Sequence, residues 1–200
     1  MSSHESPAPR RRLSREDRLR QLLDVAWQLV REEGTDALAL GRLAELAGVT
    51  KPVVYDHFVT RAGLLVALYA DFDERQNQVL DEALVASNAT LDARAWVIAS
   101  SYVDCVLLQG REIPGVIAAL SGSPELETLK RQYEAIFLDK CRDALAPFAP
   151  TGSISQAGLR AMLGAAEALS HAAANGEISR EEAQQELLAT IVAMVNRGRV

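Results

Sequence analysis

Apolar residues along this 200-residue chain return every three or four positions and almost nowhere alternate, which predicts helices rather than strands. Leu19, Leu22, Leu23, Ala26, Leu29 and Val30 describe a first helix. It begins after Ser14, with Asp17 completing a variant capping box, and stops at Gly34. A short helix at about 40–47 ends at Gly48. Thr50 then caps a second short helix, with Pro52 early enough that its missing N–H is tolerated. Thr60 opens a long fourth helix, about 61–86, whose stripe is Leu64, Leu65, Leu68, Phe72, Val79 and Ala83. Thr90 opens a fifth, about 91–109, apolar around much of its circumference and therefore expected at the centre of the fold. Ile113–Leu120 forms a short sixth helix, and a seventh runs from Ser123 to near Pro147. After a loop at 148–153, an eighth helix spans about 155–174 and breaks at Asn175-Gly176. Ser179 and Glu182 cap a ninth that ends near Arg197. The fold class is all-α, with about nine helices and no internal repeat.

Composition narrows the function without naming it. The content of 48% hydrophobic and 24% charged residues is that of an ordinary globular protein. No apolar run approaches the roughly 20 residues that span a bilayer, and Met1–Pro9 lacks the apolar segment of a secretory signal, so a cytoplasmic protein with no membrane partner is expected. Cys105 and Cys141 form no CxxC pair, and His4, His57 and His171 have no metal-ligand spacing, so neither a metal nor another cofactor is expected. The two thiols are read as buried, with redox sensing as the alternative. No GxSxG, HExxH or phosphate loop is present, and the chain is not expected to be an enzyme. The net charge of −6 is unevenly divided: ten basic and nine acidic residues up to Arg61, eleven basic and eighteen acidic beyond it. That is the asymmetry of a nucleic-acid-facing end on an acidic body.

The stretch Leu43-Ala44-Glu45-Leu46-Ala47-Gly48-Val49-Thr50-Lys51-Pro52-Val53-Val54-Tyr55-Asp56-His57-Phe58 carries the function. Two short helices meet at Gly48, where a left-handed backbone costs glycine nothing. Ala44 and Ala47 allow close approach, and Val49, Val54 and Phe58 pack inward. Thr50, Lys51, Val53, Tyr55 and His57 are left on the outer face of the second helix, which makes a helix-turn-helix with a recognition helix. Here the chain resembles the TetR/AcrR family of bacterial transcriptional regulators. The small-residue helix and turn of Leu43–Thr50, the Tyr-x-His-Phe of Tyr55–Phe58 and the basic-x-x-Leu of Arg61–Leu64 match that family over residues 15–65. One position departs: Ala39 stands where a Ser or Thr commonly caps the second helix, a loss of roughly 1 kcal/mol.

The resemblance implies a basic arm at 1–13, a helix-turn-helix DNA-binding domain at 14–60 and an effector-binding and dimerisation domain at 61–200. DNA contacts are expected from Arg10, Arg11 and Arg12 of the arm and from Arg42, Thr50, Lys51, Pro52, Val53, Tyr55, His57 and Arg61. Tyr55 reads as a backbone contact or a packing residue, and His57 as phosphate-proximal or structural. The effector pocket falls among the middle helices, with Trp96, Tyr102, Cys105, Val106, Gln109, Ile117, Tyr133, Phe137 and Cys141 as its candidates or else as core. Few charges interrupt that set, so an apolar or amphipathic molecule is expected, with Asp104 and Glu134 able to favour a cation. The last two helices are expected to form a homodimer through Leu159, Met162, Ala165, Glu167, Ala168, His171, Leu187, Leu188, Ile191 and Val195. The function implied is a one-component repressor that binds a palindromic double-stranded DNA operator as a dimer and is released by a small molecule. An effector-dependent activator or co-repressor, or a ligand-binding protein without DNA binding, is the alternative.

Overall fold

The computed structural model describes residues 13–197. Among these residues the regular structure is entirely helical: α1 (Arg15–Glu33), α2 (Leu40–Leu46), α3 (Lys51–Phe58), α4 (Arg61–Ala86), α5 (Leu91–Glu112), α6 (Pro114–Leu120), α7 (Pro124–Leu145), α8 (Gln156–Ala174) and α9 (Arg180–Asn196). Two 3-10 turns also occur, Thr35–Ala37 between α1 and α2 and Ala146–Phe148 at the point where the seventh helix is expected to end. No described helix is long and apolar enough to cross a membrane. The chain divides into two compact units at Leu64/Leu65, and α4 runs through the division as one continuous helix.

Caps explain where most helices start. Ser155 and Ser123 accept the backbone N–H groups of Gly158 and Leu126 at 3.0 and 3.1 Å. Ser179 and Glu182 form the full reciprocal box at α9. Ser14 realises only half of one. Its Oγ accepts from the Asp17 N–H at 3.0 Å, while the Asp17 carboxylate takes the Ser14 hydroxyl instead of the backbone N–H. Ala39 stands at the start of α2 with no side-chain cap, as its chemistry requires.

In the first unit Leu22, Ala26, Trp27 and Leu29 of α1 are buried together with Leu40, Leu43 and Ala44 of α2 and Val54 and Phe58 of α3. The second unit has its core around α5, which packs against α7, α8 and α9. Ala95, Ile98, Ala99 and Val103 of α5 share one apolar cluster with Leu138, Leu145, Leu159, Met162, Leu187 and Ile191. The fifth helix is thus central, but Trp96 is turned outward and 38% exposed. In α4 the stripe also shifts by one residue from its expected course: Val79 is exposed and Leu80 is buried. A 3.6-residue period carries Leu64, Leu68, Phe72 and Leu80 down one face and leaves Gln76 as the polar member of that row.

Candidate nucleic-acid interface and cavity

The turn between α2 and α3 is closed by two backbone bonds. The Val49 N–H donates to the Ala44 carbonyl at 3.0 Å and the Gly48 N–H to that of Glu45 at 3.1 Å. This is a Schellman closure, and it needs the φ of +64° that Gly48 supplies. The Gln21 side chain donates to the Ala47 carbonyl at 3.4 Å, so α1 holds the turn from behind. Val54 and Phe58 then face the core. Lys51, Pro52 and Tyr55 are exposed, and Val53 and His57 are half-buried. Thr50 differs from expectation. It sits at the N-terminal boundary of α3 in extended backbone, but its hydroxyl makes no cap bond and is exposed.

Two arginines carry internal duties. Arg42 pairs with Glu33, which raises the guanidinium pKa. Arg61, expected to contact phosphate, donates from Nε to the Leu38 carbonyl at 2.9 Å and from a terminal nitrogen to that of Thr35 at 2.8 Å. It braces the 3-10 turn ahead of α2. A guanidinium has five N–H donors, so this use is compatible with a further contact but is the one the geometry supplies. Arg10, Arg11 and Arg12 lie outside the described residues.

The link from α3 to α4 contains a position that sequence reading missed. A Cβ on Gly63 would lie 2.2 Å from the Phe58 carbonyl oxygen, so only glycine lets the first turn of α4 pass this close to the end of α3. The Gly63 N–H also takes the Thr60 cap at 3.1 Å. Val59 bridges the two helices at φ +58°, a left-handed conformation costly for a β-branched residue.

The second unit holds a cavity of about 280 Å³. Its walls are Tyr69, Asp73, Gln76, Asn77 and Leu80 of α4 and Ser101, Tyr102, Cys105, Val106 and Gln109 of α5. Lys130, Tyr133, Glu134 and Phe137 of α7 and Leu163 and Glu167 of α8 complete them. The expected Tyr102, Cys105, Val106, Gln109, Tyr133 and Phe137 are brought together here, and Tyr102 and Phe137 meet as tilted rings 5.2 Å apart. Trp96, Ile117 and Cys141 are not in this wall. Trp96 points outward, Ile117 lies on α6, and Cys141 is fully buried in the core. The whole α4 contribution was unforeseen, because an apolar stripe reads as core. Its signal was polar spacing: Tyr69, Asp73, Gln76 and Asn77 fall on one face of α4.

Within the cavity burial raises the Tyr69 pKa, and the neighbouring Asp73 raises it further while Gln109 opposes the rise. The second carboxylate oxygen of Asp73 is buried with no hydrogen-bond partner. Burial pushes the Asp73 carboxyl up to about 6, against the opposing effects of Tyr69 and the charge of Lys130. Burial likewise pushes the Cys105 thiol up to about 12, with a further contribution from Asp73, so it is a protonated wall residue rather than a nucleophile. Asp104, expected as a cation selector, is not in this wall. It receives two bonds from Arg180 at 2.6 and 2.7 Å and one from Gln184 at 3.0 Å, tying α5 to α9. Among the described residues no group of three or more His, Cys, Asp or Glu is placed to hold a metal ion.

The residues expected at a dimer interface separate into two sets. Leu159, Met162, Leu187, Ile191 and Val195 are at most 2% exposed and belong to the chain's own core. The sequence pattern marks an apolar face without saying which neighbour covers it, and here α5 and the α8–α9 pair cover one another. Glu167, Ala168 and His171 are exposed, and Ala165 and Leu188 are half-buried. Ala157, Ala161 and Gly164 continue the exposed small-residue row on α8.

Residues 22–68 match the model of the bacterial regulatory proteins of the tetR family. A stretch of 57 residues is 39% identical to the HTH-type transcriptional activator FasR of Mycolicibacterium smegmatis, covering 28% of this chain and 26% of that protein. The chain thus spans about a quarter of the length of that curated relative. A TetR transcription regulator from Haloarcula marismortui superposes with a TM-score of 0.65 at 18% identity over 90% of this chain and all of that one. The SmeT–triclosan complex does so with a TM-score of 0.62 at 18% identity, covering 92% of this chain and 94% of that one. At these identities the likeness is one of fold.

Proposed function

We propose that this chain, whose residues 22–68 match the model of the tetR-family bacterial regulatory proteins, is a transcriptional repressor of that family, binding a palindromic operator as a dimer and released by a small molecule. The observation that carries the reading is the outer face of α3. Thr50, Lys51, Pro52 and Tyr55 are exposed over a buried Val54 and Phe58, on a helix whose angle to α2 is fixed by the Gly48 closure. Lys51 and the uncapped Thr50 hydroxyl suit phosphate oxygens, which provide most of the affinity of such complexes. Val53 and Tyr55 offer apolar and aromatic surface to base edges.

The cavity supports the effector half of the reading. Its wall includes Tyr69, Asp73 and Gln76 of α4, whose own first turn holds Gly63 against the Phe58 carbonyl and Arg61 against the Thr35 and Leu38 carbonyls. A displacement of α4 by a ligand therefore moves the end of α3 and the support of α2. The effector must bind the DNA-incompetent arrangement more tightly, since equal affinity for both shifts nothing. Triclosan in the SmeT complex supports a small-molecule occupant for this fold. FasR, as an activator, supports the opposite sign of control, but over 26% of its length. Promoter-linked transcription in vitro with purified protein separates the two. Repression requires output to fall as protein is added and to recover with effector, whereas activation reverses both changes.

A further inference from the structure

We propose that the cavity of the second unit takes a small amphipathic organic cation, a protonated amine on an aromatic or alkyl body, whose N–H donates to the free carboxylate oxygen of Asp73. This rests on the reading of that cavity as the effector site and adds the chemical class of the effector. The first observation is the orphan acceptor. Asp73 is only 9% exposed, its Oδ2 has no hydrogen-bond partner, and the residue forms part of the cavity wall. A buried carboxylate oxygen without a donor is costly, and native structures fill such positions or use them. Among the described residues no arginine, lysine or histidine makes an ion pair with it.

The second observation is the sign of the wall. It contains three carboxylates, Asp73, Glu134 and Glu167, against the single ammonium of Lys130. Glu134 is already engaged by Arg160 at 2.9 Å, which leaves Asp73 and Glu167 as uncommitted negative charge. The third is the aromatic content. Tyr69, Tyr102, Tyr133 and Phe137 line the same space, and aromatic faces attract ammonium groups at close range. An anionic effector would meet two unpaired carboxylates, and a neutral apolar one would leave Asp73 Oδ2 buried without a donor.

The test is calorimetric titration of the full chain with matched panels of short- and long-chain phenylalkyl ammonium ions, the corresponding alcohols and the corresponding carboxylates. The proposal expects the ammonium members to bind at least about tenfold more tightly than the alcohols, a difference of roughly 1.4 kcal/mol. It also expects Asp73→Asn to erase that preference while keeping the affinity for the alcohols. Lys130→Gln, which removes the competing charge, should strengthen ammonium binding, so the proposal stays open to refutation even if Asp73→Asn folds poorly. Alcohols or carboxylates binding the wild type as tightly as the amines would overturn the cation and leave the cavity as a ligand site. No binding by any member would overturn the cavity reading together with the proposal. Binding of amines without any release of operator DNA would support the proposal and count against the release mechanism instead.

Discussion

Tyr69 and Asp73 lie one turn apart on α4 in the same cavity wall, and the Oδ2 of Asp73 is buried there with no hydrogen-bond partner. The groups around Asp73 are Tyr69 on α4, Tyr102 and Cys105 on α5, Lys130, Tyr133 and Glu134 on α7 and Glu167 on α8. Lys130 is the one cation among them, and it lowers the Asp73 pKa less than burial raises it. In the folded protein this carboxyl keeps its proton up to about pH 6, against an ordinary value of 3.8. A raised folded pKa means that the contribution of this group is most favourable below about pH 4 and is lost as the pH climbs through 6. At neutral pH the ionised carboxylate thus costs the fold about 2–3 kcal/mol. Asp73→Asn should recover on the order of 2 kcal/mol at pH 7.5 and flatten the pH dependence between about 4 and 7. Urea unfolding across that range checks it, and parallel curves for the two proteins would remove the stability argument.

The recognition face makes a second prediction. Tyr55→Ala and Lys51→Ala touch exposed side chains, so melting temperatures should stay near wild type. Operator affinity should fall by about 1–3 kcal/mol for each if a base or tight phosphate contact is lost. Fluorescence anisotropy on an operator duplex, with circular dichroism as the fold control, measures both. Undiminished affinity in both variants would move DNA recognition away from α3.

The α3–α4 link makes a third. Gly63→Ala would set a Cβ 2.2 Å from a backbone oxygen that has no flexible end to give way. Overpacking of this kind typically costs 1–3 kcal/mol. The shift should be felt at α3, so operator binding should weaken along with thermal stability. Val59→Gly, by contrast, relieves a left-handed β-branched residue and should raise stability by roughly 1 kcal/mol. A Gly63→Ala protein with wild-type melting and wild-type DNA binding would show that the close approach is not needed.

Assembly makes a fourth. Glu placed at Ala161 or Ala168, on the exposed row of α8, should dissociate a dimer built on that row without loss of helicity. Ile191→Ala, in the chain's own core, should instead destabilise the fold by about 2–5 kcal/mol. Analytical ultracentrifugation separates the two. An Ala168→Glu protein that sediments as a dimer indistinguishable from wild type would place the interface elsewhere.

These cases also mark how far the sequence could be read. Helix positions were legible because caps and glycines are local signals: Ser179 with Glu182, Thr60, Gly34 and Gly48 act within a turn or two of their own positions. The helix-turn-helix was legible for the same reason, its turn and its inward residues lying within 16 positions of one another, from Leu43 to Phe58. What the pattern could not tell was which neighbour an apolar face meets. Leu159, Met162, Leu187 and Ile191 read equally well as an interface and as a core, and only the packing of α8 and α9 on α5 decides. Gly63 was silent because its requirement comes from the Phe58 carbonyl in space, not from a turn signal. Asp73 was passed over because one acidic residue in a long helix ordinarily faces water.

If α3 reads a specific duplex sequence, purified full-length chain will select that sequence from a random pool of DNA duplexes. The enriched duplexes should share a pseudo-palindromic site with half-sites about one helical turn apart, roughly 34–36 Å centre to centre, or a multiple of that spacing. The same selection with Tyr55→Ala should lose or change the enriched bases. A pool that stays random with the wild-type protein, or an enriched site that Tyr55→Ala and Lys51→Ala both reproduce at full strength, would contradict sequence reading by α3.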